Sequence, residues 1–220
     1  MMAVFVGWGG VALLICPIAG RVGGPGRVGA ALVGQIGLWT VWTATLLVVR
    51  LHEQLDWSSL WLRPPSWQSV VWGLAFAVVS VTVVVPLRER VRRLMGLSGF
   101  AAGMEEVIQL PPWFRLYAAV SAGIVEETLF SGVPIPRLAL VTGSVWLGAL
   151  IATAVFAAVH VPHWGTGAAV SIFLGALAGA AFFVWRRDLL AIIVAHAAID
   201  VWGFVIAPRF SKWWRAASFA

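Results

Sequence analysis

The sequence predicts an all-α protein, a polytopic bundle of about seven transmembrane helices. Three observations predict it. Of the 220 residues, 61% are hydrophobic and only 11% charged, where a soluble domain carries about 25% charged residues. The mean hydropathy is +0.93. The aromatic set holds 14 Trp against one Tyr, and Trp gathers at membrane–water interfaces. The Trp residues are accordingly read as interface anchors.

The net charge of +6 comes from 15 basic residues, 14 of them Arg, against nine acids. In a soluble protein a pI near 11.2 would raise nucleic-acid binding. Here the Arg residues sit mostly between apolar runs, which points to anionic lipid headgroups as partners. A basic face with interleaved polar contacts is missing, so nucleic acid is excluded. The single cysteine, Cys16, rules out an internal disulfide framework. Leu13-Leu14-Ile15 before it faintly suggests a lipoprotein cleavage site. Ile15 is too large for that cut, and the run lacks a preceding basic residue. The N-terminus reads as a first membrane helix, with Cys16 packed or lipid-facing.

In chain order, residues 3–18 form a short apolar run closed by Pro17 and Gly20. A Gly/Pro connector follows at 21–27. Residues 28–49 are a second span without charge, and 50–67 a polar interfacial loop rich in Trp and Pro. The third span, 69–86, leads into 87–94, where Arg88, Arg90, Arg92 and Arg93 read as a surface-lying basic segment. The stretch 96–112 reads as a loop whose acidic pair, Glu105 and Glu106, is solvated. The remaining spans are 116–132, 145–161 (stopped by Pro162), 165–185 and 189–207. In 165–185, Gly175 and Gly179 make a small-xxx-small face for helix packing. Three regions follow from this: N-terminal helices with a basic connector at 1–112, a four-helix core at 113–208, and a basic tail at 209–220.

Counting Lys and Arg gives the orientation. Arg50, Arg63, Arg137, Arg186 and Arg187 lie on the N-terminal side, against ten on the other. The positive-inside rule then puts the C-terminus in the cytoplasm. The Gly-, Arg- and Trp-rich usage points to a prokaryotic plasma membrane.

Chemistry concentrates in the second half. Of the nine acids only Glu126, Glu127 and Asp200 fall within apolar spans, as do His160 and His196 among the four His. A charge at mid-membrane costs about 2.5–3.5 kcal/mol on insertion scales, so five such groups need a reason. His196 and Asp200 are four residues apart on one helix face, as are Phe156 and His160. A His and a carboxylate so spaced can converge on one metal ion or one water molecule. Glu126 and Glu127 are adjacent, hence about 100° apart around a helix. One would act directly while the other supports it. Phe156 reads as packing beneath the site, and Gly123 and Gly132 as places of close helix contact or helix termination.

The stretches Glu-Glu-Thr-Leu-Phe-Ser-Gly (126–132), Phe-Ala-Ala-Val-His (156–160) and His-Ala-Ala-Ile-Asp (196–200) resemble three motifs of one family. These are EExxxR, FxxxH and HxxxN/D of the CPBP family, the CAAX prenyl-protein endopeptidases and bacteriocin-processing proteins, also called the Abi family. The resemblance covers about residues 114–207. It implies an all-helical membrane fold and an endopeptidase acting on a peptide or prenylated-protein substrate. It also implies roles: Glu126 as general base activating water, Glu127 as its orienting partner, and His160 positioning water or binding metal. His196 and Asp200 would stabilise the oxyanion or complete a metal shell. A divalent metal such as zinc, held by His160, His196 and Asp200, and a metal-free glutamate mechanism both suit this set. One position departs from the pattern: Ser131 stands where the first motif has Arg, with Arg137 or Arg115 as possible substitutes. Two other classes stay open, a non-catalytic scaffold or immunity-type protein on the same fold, and a proton-coupled transporter.

Overall fold

A computed structural model describes residues 1–18, 27–99 and 101–210 of the chain. It is 88% helical and without strands among these residues, with seven helical runs, five of them long and apolar enough to cross a membrane. The all-α membrane bundle stands. The connector at 21–26 and the tail beyond 210 lie outside the described residues, as does the Cys16 side chain.

The first helix, α1 (Met2–Ile18), packs on α2 (Arg27–Leu47), which continues through a π turn at Val48–His52. Next come α3 (Trp67–Val79), a π turn at Ser80–Val84, and α4 (Val85–Leu94). These three form one run of 28 residues. Here the structure corrects the expected stop at Pro86 and the separate surface-lying segment after it. The π turn closes with the Val85 N–H on the Ser80 carbonyl. The i→i−4 ladder is therefore already interrupted where proline would break it. The helix carries on, Arg92 is buried, and Arg88 is half-buried.

A second correction falls on 96–112, which is not all loop: α5 spans Ala101–Ile108. Its Ala, Met and Glu residues are good helix formers and outweigh Gly103. Glu106 is exposed, as expected of a solvated acid.

The core follows. Helix α6 (Pro112–Glu127) opens with proline at its first position, where a missing N–H costs nothing. It passes through a π turn at Thr128–Gly132 into α7 (Pro134–Thr142). Helix α8 (Val145–Arg186) runs through Pro162 and is kinked at Gly165, whose φ of 78° and ψ of 169° only glycine adopts freely. The expected spans 145–161 and 165–185 are the two legs of this helix, and the break is the glycine, not the proline. Helix α9 (Leu189–Val201) begins at Asp188, whose carboxylate caps the Ala191 N–H at 3.2 Å and accepts from Ser69 Oγ at 2.7 Å. It ends in a π turn at Trp202–Ile206.

Helix α9 is the central element, lying between α3 and α6. Each neighbour meets it at a glycine. A Cβ on Gly73 would fall 2.5 Å from the Ala191 carbonyl, and one on Gly123 would fall 2.9 Å from Ala197 N and Ile193 O. Two buried clusters flank this layer. The larger holds Val49, Leu60, Val133, Ile135, Phe183, Leu189 and Ile192; the smaller gathers Val11, Val125, Leu129 and Phe130. Trp57, Trp67, Trp113, Trp146 and Trp185 are exposed, as interface anchors would be. Trp8 is not one of them: its Nε1–H donates to the Leu129 carbonyl at 3.1 Å and its ring stacks on Phe130.

Three of the arginines counted on the N-terminal side have partners across the fold. Arg137 pairs with Glu53 at 2.7 Å, Arg186 lies over Trp72, and Arg187 lies over Trp61.

Candidate active site

The site grows from the last turn of α6. Gly123 lets α6 settle against α9, which brings Glu127 alongside His196. Glu127 Oε1 sits 2.7 Å from His196 Nδ1. A carboxylate can only accept, so Nδ1 carries the proton of that bond. The other oxygen, Glu127 Oε2, accepts from Ser131 Oγ at 2.7 Å. Both oxygens of Glu127 are thus committed, one to the helix opposite and one to its own π turn. The Val133 N–H closes that turn on the Thr128 carbonyl at 2.9 Å, and the Thr128 hydroxyl donates back to the Ile124 carbonyl of α6 at 2.7 Å. A π turn at such a place is a common device for aiming side chains at a site.

Glu126 differs from its neighbour. Its Oε2 stands 3.9 Å from His196 Nε2, beyond hydrogen-bond length, and among the described residues it makes no hydrogen bond. Asp200 Oδ2 approaches the same Nε2 at 3.5 Å. Between 15% and 21% of each of these four side chains is exposed, on Glu126, Glu127, His196 and Asp200 alike. That exposure matters because it faces a cavity. The space holds about 1280 Å³ and is lined by all five motif residues, Glu126, Glu127, His160, His196 and Asp200, with Phe156 and Ser131.

His160 enters from α8. Its Nδ1 lies 2.6 Å from the Phe156 carbonyl. A carbonyl accepts, so Nδ1 donates and Nε2 of the neutral ring is a bare acceptor. The Phe156 ring packs against His160 at 4.5 Å between centroids, against Phe130 at 5.1 Å and against His196 at 6.5 Å. It is a packing residue that orients both imidazoles.

The expected substitutes for the missing motif arginine are engaged elsewhere. Arg137 bonds Glu53 through Nε at 2.9 Å and Nη2 at 2.7 Å, and Arg115 donates to the Phe204 carbonyl at 2.8 Å. Ser131 takes the place of the arginine as a neutral donor to Glu127. Residues that the sequence reading left out also line the cavity: Arg88, Glu89 and Arg93 of α4. Glu89 is tied to Arg92, with Arg93 at 3.6 Å. The signal was present in the register, since Glu89 and Arg93 share a face once the helix continues past Pro86.

The metal set fits less well. Among the described residues, His, Cys, Asp and Glu side chains form no group of three or more that could hold a metal ion. His160, His196 and Asp200 therefore do not make a ready shell in this arrangement, and His196 Nδ1 is already spent on Glu127.

Residues 108–202 match the family described as type II CAAX prenyl endopeptidase Rce1-like. That stretch is similar to the Rce1-like endopeptidases. It contains all three motifs, so the resemblance read from them holds, and it spans α6 to α9 with the whole motif constellation. Five helices of the described chain are long and apolar enough to cross a membrane, which fits an integral membrane protein. None of the curated proteins or solved structures compared with the chain matches it.

Proposed function

We propose that the protein is an intramembrane endopeptidase that hydrolyses a peptide bond near the membrane surface. One observation carries this reading: five ionisable side chains from α6, α8 and α9 face a single cavity, and among the described residues Glu126 makes no hydrogen bond while Glu127 is bound at both oxygens. A water molecule between Glu126 and the bare Nε2 of His160 is the nucleophile. Glu126 takes its proton as the oxygen adds to the peptide carbonyl carbon. His196, with a proton on Nε2, donates to the oxyanion, while Glu127 and Asp200 hold the imidazole in place. The C–N bond then breaks, and the proton on Glu126 passes to the departing amine. Ser131 keeps Glu127 turned toward His196, which leaves Glu126 as the free base.

The family resemblance extends the substrate to a peptide or a prenylated protein entering from the lipid. The count of basic residues puts the C-terminus, and the basic end of α4, on the cytoplasmic side of a prokaryotic plasma membrane.

The test uses purified protein in lipid nanodiscs, with a quenched fluorescent peptide ending in a farnesylated cysteine motif and the same peptide unmodified. Wild type cleaves, and Glu126→Gln loses at least a hundredfold in kcat, in the range of a removed general base. Cleavage that survives E126Q refutes the mechanism. A folded wild type that cleaves neither peptide, nor a leader peptide, supports the scaffold reading instead.

A further inference from the structure

We infer that Gln35, on α2 outside the three motifs, binds the substrate chain: its carboxamide N–H groups donate to a backbone carbonyl about two residues from the bond that is cut. The inference rests on the peptidase reading and extends it to how the chain is held.

After Arg27, α2 carries no charge, and Gln35 is its one carboxamide. Lipid offers such a group no partner. Gln35 faces the cavity instead. Its oxygen is already engaged, since the hydroxyl of buried Ser121 on α6 donates to Gln35 Oε1 at 2.7 Å. That bond orients the amide, with the oxygen toward α6 and the nitrogen turned away from it. Nε2 carries two N–H donors, and among the described residues it donates to none. It is not one of the buried polar atoms left without a partner, so it keeps access to the open space. A hydrogen bond that only ties α2 to α6 would use the oxygen and strand two donors in an apolar wall.

The surroundings define what the donors meet. The α2 wall beside Gln35 is Ala30, Ala31, Gly34 and Leu38, with Ala118 and Ala122 on α6. None of these side chains can donate, and most are small enough for a chain to lie close. A peptide entering this space leaves water behind, and each of its carbonyls costs free energy until it finds a donor. Gln35 supplies one. Its register follows from α6, where Ser121 precedes Glu126 by five residues, roughly 7.5 Å along the helix. An extended chain covers that distance in about two residues, at roughly 3.3–3.6 Å each.

The experiment takes the peptide that wild type cleaves in nanodiscs and replaces one non-scissile amide at a time with a trans-alkene, which removes the carbonyl acceptor. One replacement, about two residues from the cut, lowers kcat/KM by about tenfold, the size of one lost hydrogen bond. Gln35→Met gives the same loss on the intact peptide and adds nothing on that analogue. Losses that multiply at every position overturn the inference, as does a Q35M protein that cleaves like wild type; the peptidase reading survives both results. Ser121→Ala separates substrate binding from helix tying. It removes the same interhelical bond but leaves the amide, so it lowers the unfolding midpoint as Q35M does and keeps the position-specific loss in the scan. A scan flattened equally by S121A and Q35M means that the pair only ties helices. If wild type cleaves no peptide, the peptidase reading fails, and the anisotropy of a labelled farnesylated peptide with wild type and Q35M decides the rest. Binding weakened about tenfold by Q35M keeps the carbonyl site; absent or unchanged binding removes it.

Discussion

Replacing Arg137 with Met should destabilise the folded protein by about 3–5 kcal/mol at pH 7, the range for breaking a buried ion pair from one side. Arg137 is 5% and the Glu53 side chain 10% exposed, so neither can exchange its partner for water. Burial pushes the Glu53 carboxyl up. Hydrogen bonds from the N-terminal ammonium, Arg137 and the Ala3 N–H, with the Arg137 charge, overcome this and hold it at about 2 against an ordinary 4.5. At 1.36 kcal/mol per unit that difference is worth about 3 kcal/mol to the folded state. Arg137 also donates to the Val133 carbonyl at 3.1 Å, so its loss loosens the elbow between the π turn and α7. The sign of the pH effect follows from the lowered value. The contribution is complete above about pH 4.5 and is lost as pH falls toward about 2. Wild type should therefore lose stability across that acid window, while Glu53→Gln is weaker at pH 7 and flatter below pH 4.5. Denaturant unfolding in micelles at pH 7 and pH 3 measures both. An R137M change under about 0.5 kcal/mol, the size expected of an unremarkable surface site, or an acid slope unchanged in E53Q, refutes the reasoning.

Three further outcomes are expected. Gly123→Ala puts a methyl 2.9 Å from the α9 backbone, so the helices must part and stability should fall by about 1–3 kcal/mol; unchanged thermal unfolding would remove close packing as the reason for the glycine. Ser131→Ala deletes a donor to a carboxylate, a bond of about 1.5–3 kcal/mol, and should lower kcat by about tenfold, with Ser131→Thr retaining most of it. Gly165→Ala forces a side chain into φ of 78° and should cost about 1–3 kcal/mol in unfolding measurements. A Gly165→Ala protein as stable as wild type would mean that α8 can straighten there.

The site was legible to the extent that its chemistry is local. His196 and Asp200 share a helix face because of their spacing alone, and the pair of adjacent glutamates had to divide into a direct and a supporting member. In the structure Glu127 is bound at both oxygens and Glu126 is not. The metal question illustrates the limit. Composition offers two His and several carboxylates, but a shell needs three of them converging on one point, and convergence is a property of helix packing.

By itself the sequence determined the solvent and the secondary structure of this protein. Apolar runs of this length can satisfy their backbone in lipid only as helices, and buried charges on three of them mark where function lies. Tertiary structure decided which groups answer which. Two proline signals misled because a π turn and a glycine kink, neither visible as composition, set the real continuity of α3–α4 and α8. Arg137 and Arg115, nearest in sequence to the glutamate pair, are spent on Glu53 and Phe204, while Arg88 reaches the cavity wall from α4. Charges in a membrane bundle pair through space, across helices whose order in the cavity is not their order in the chain.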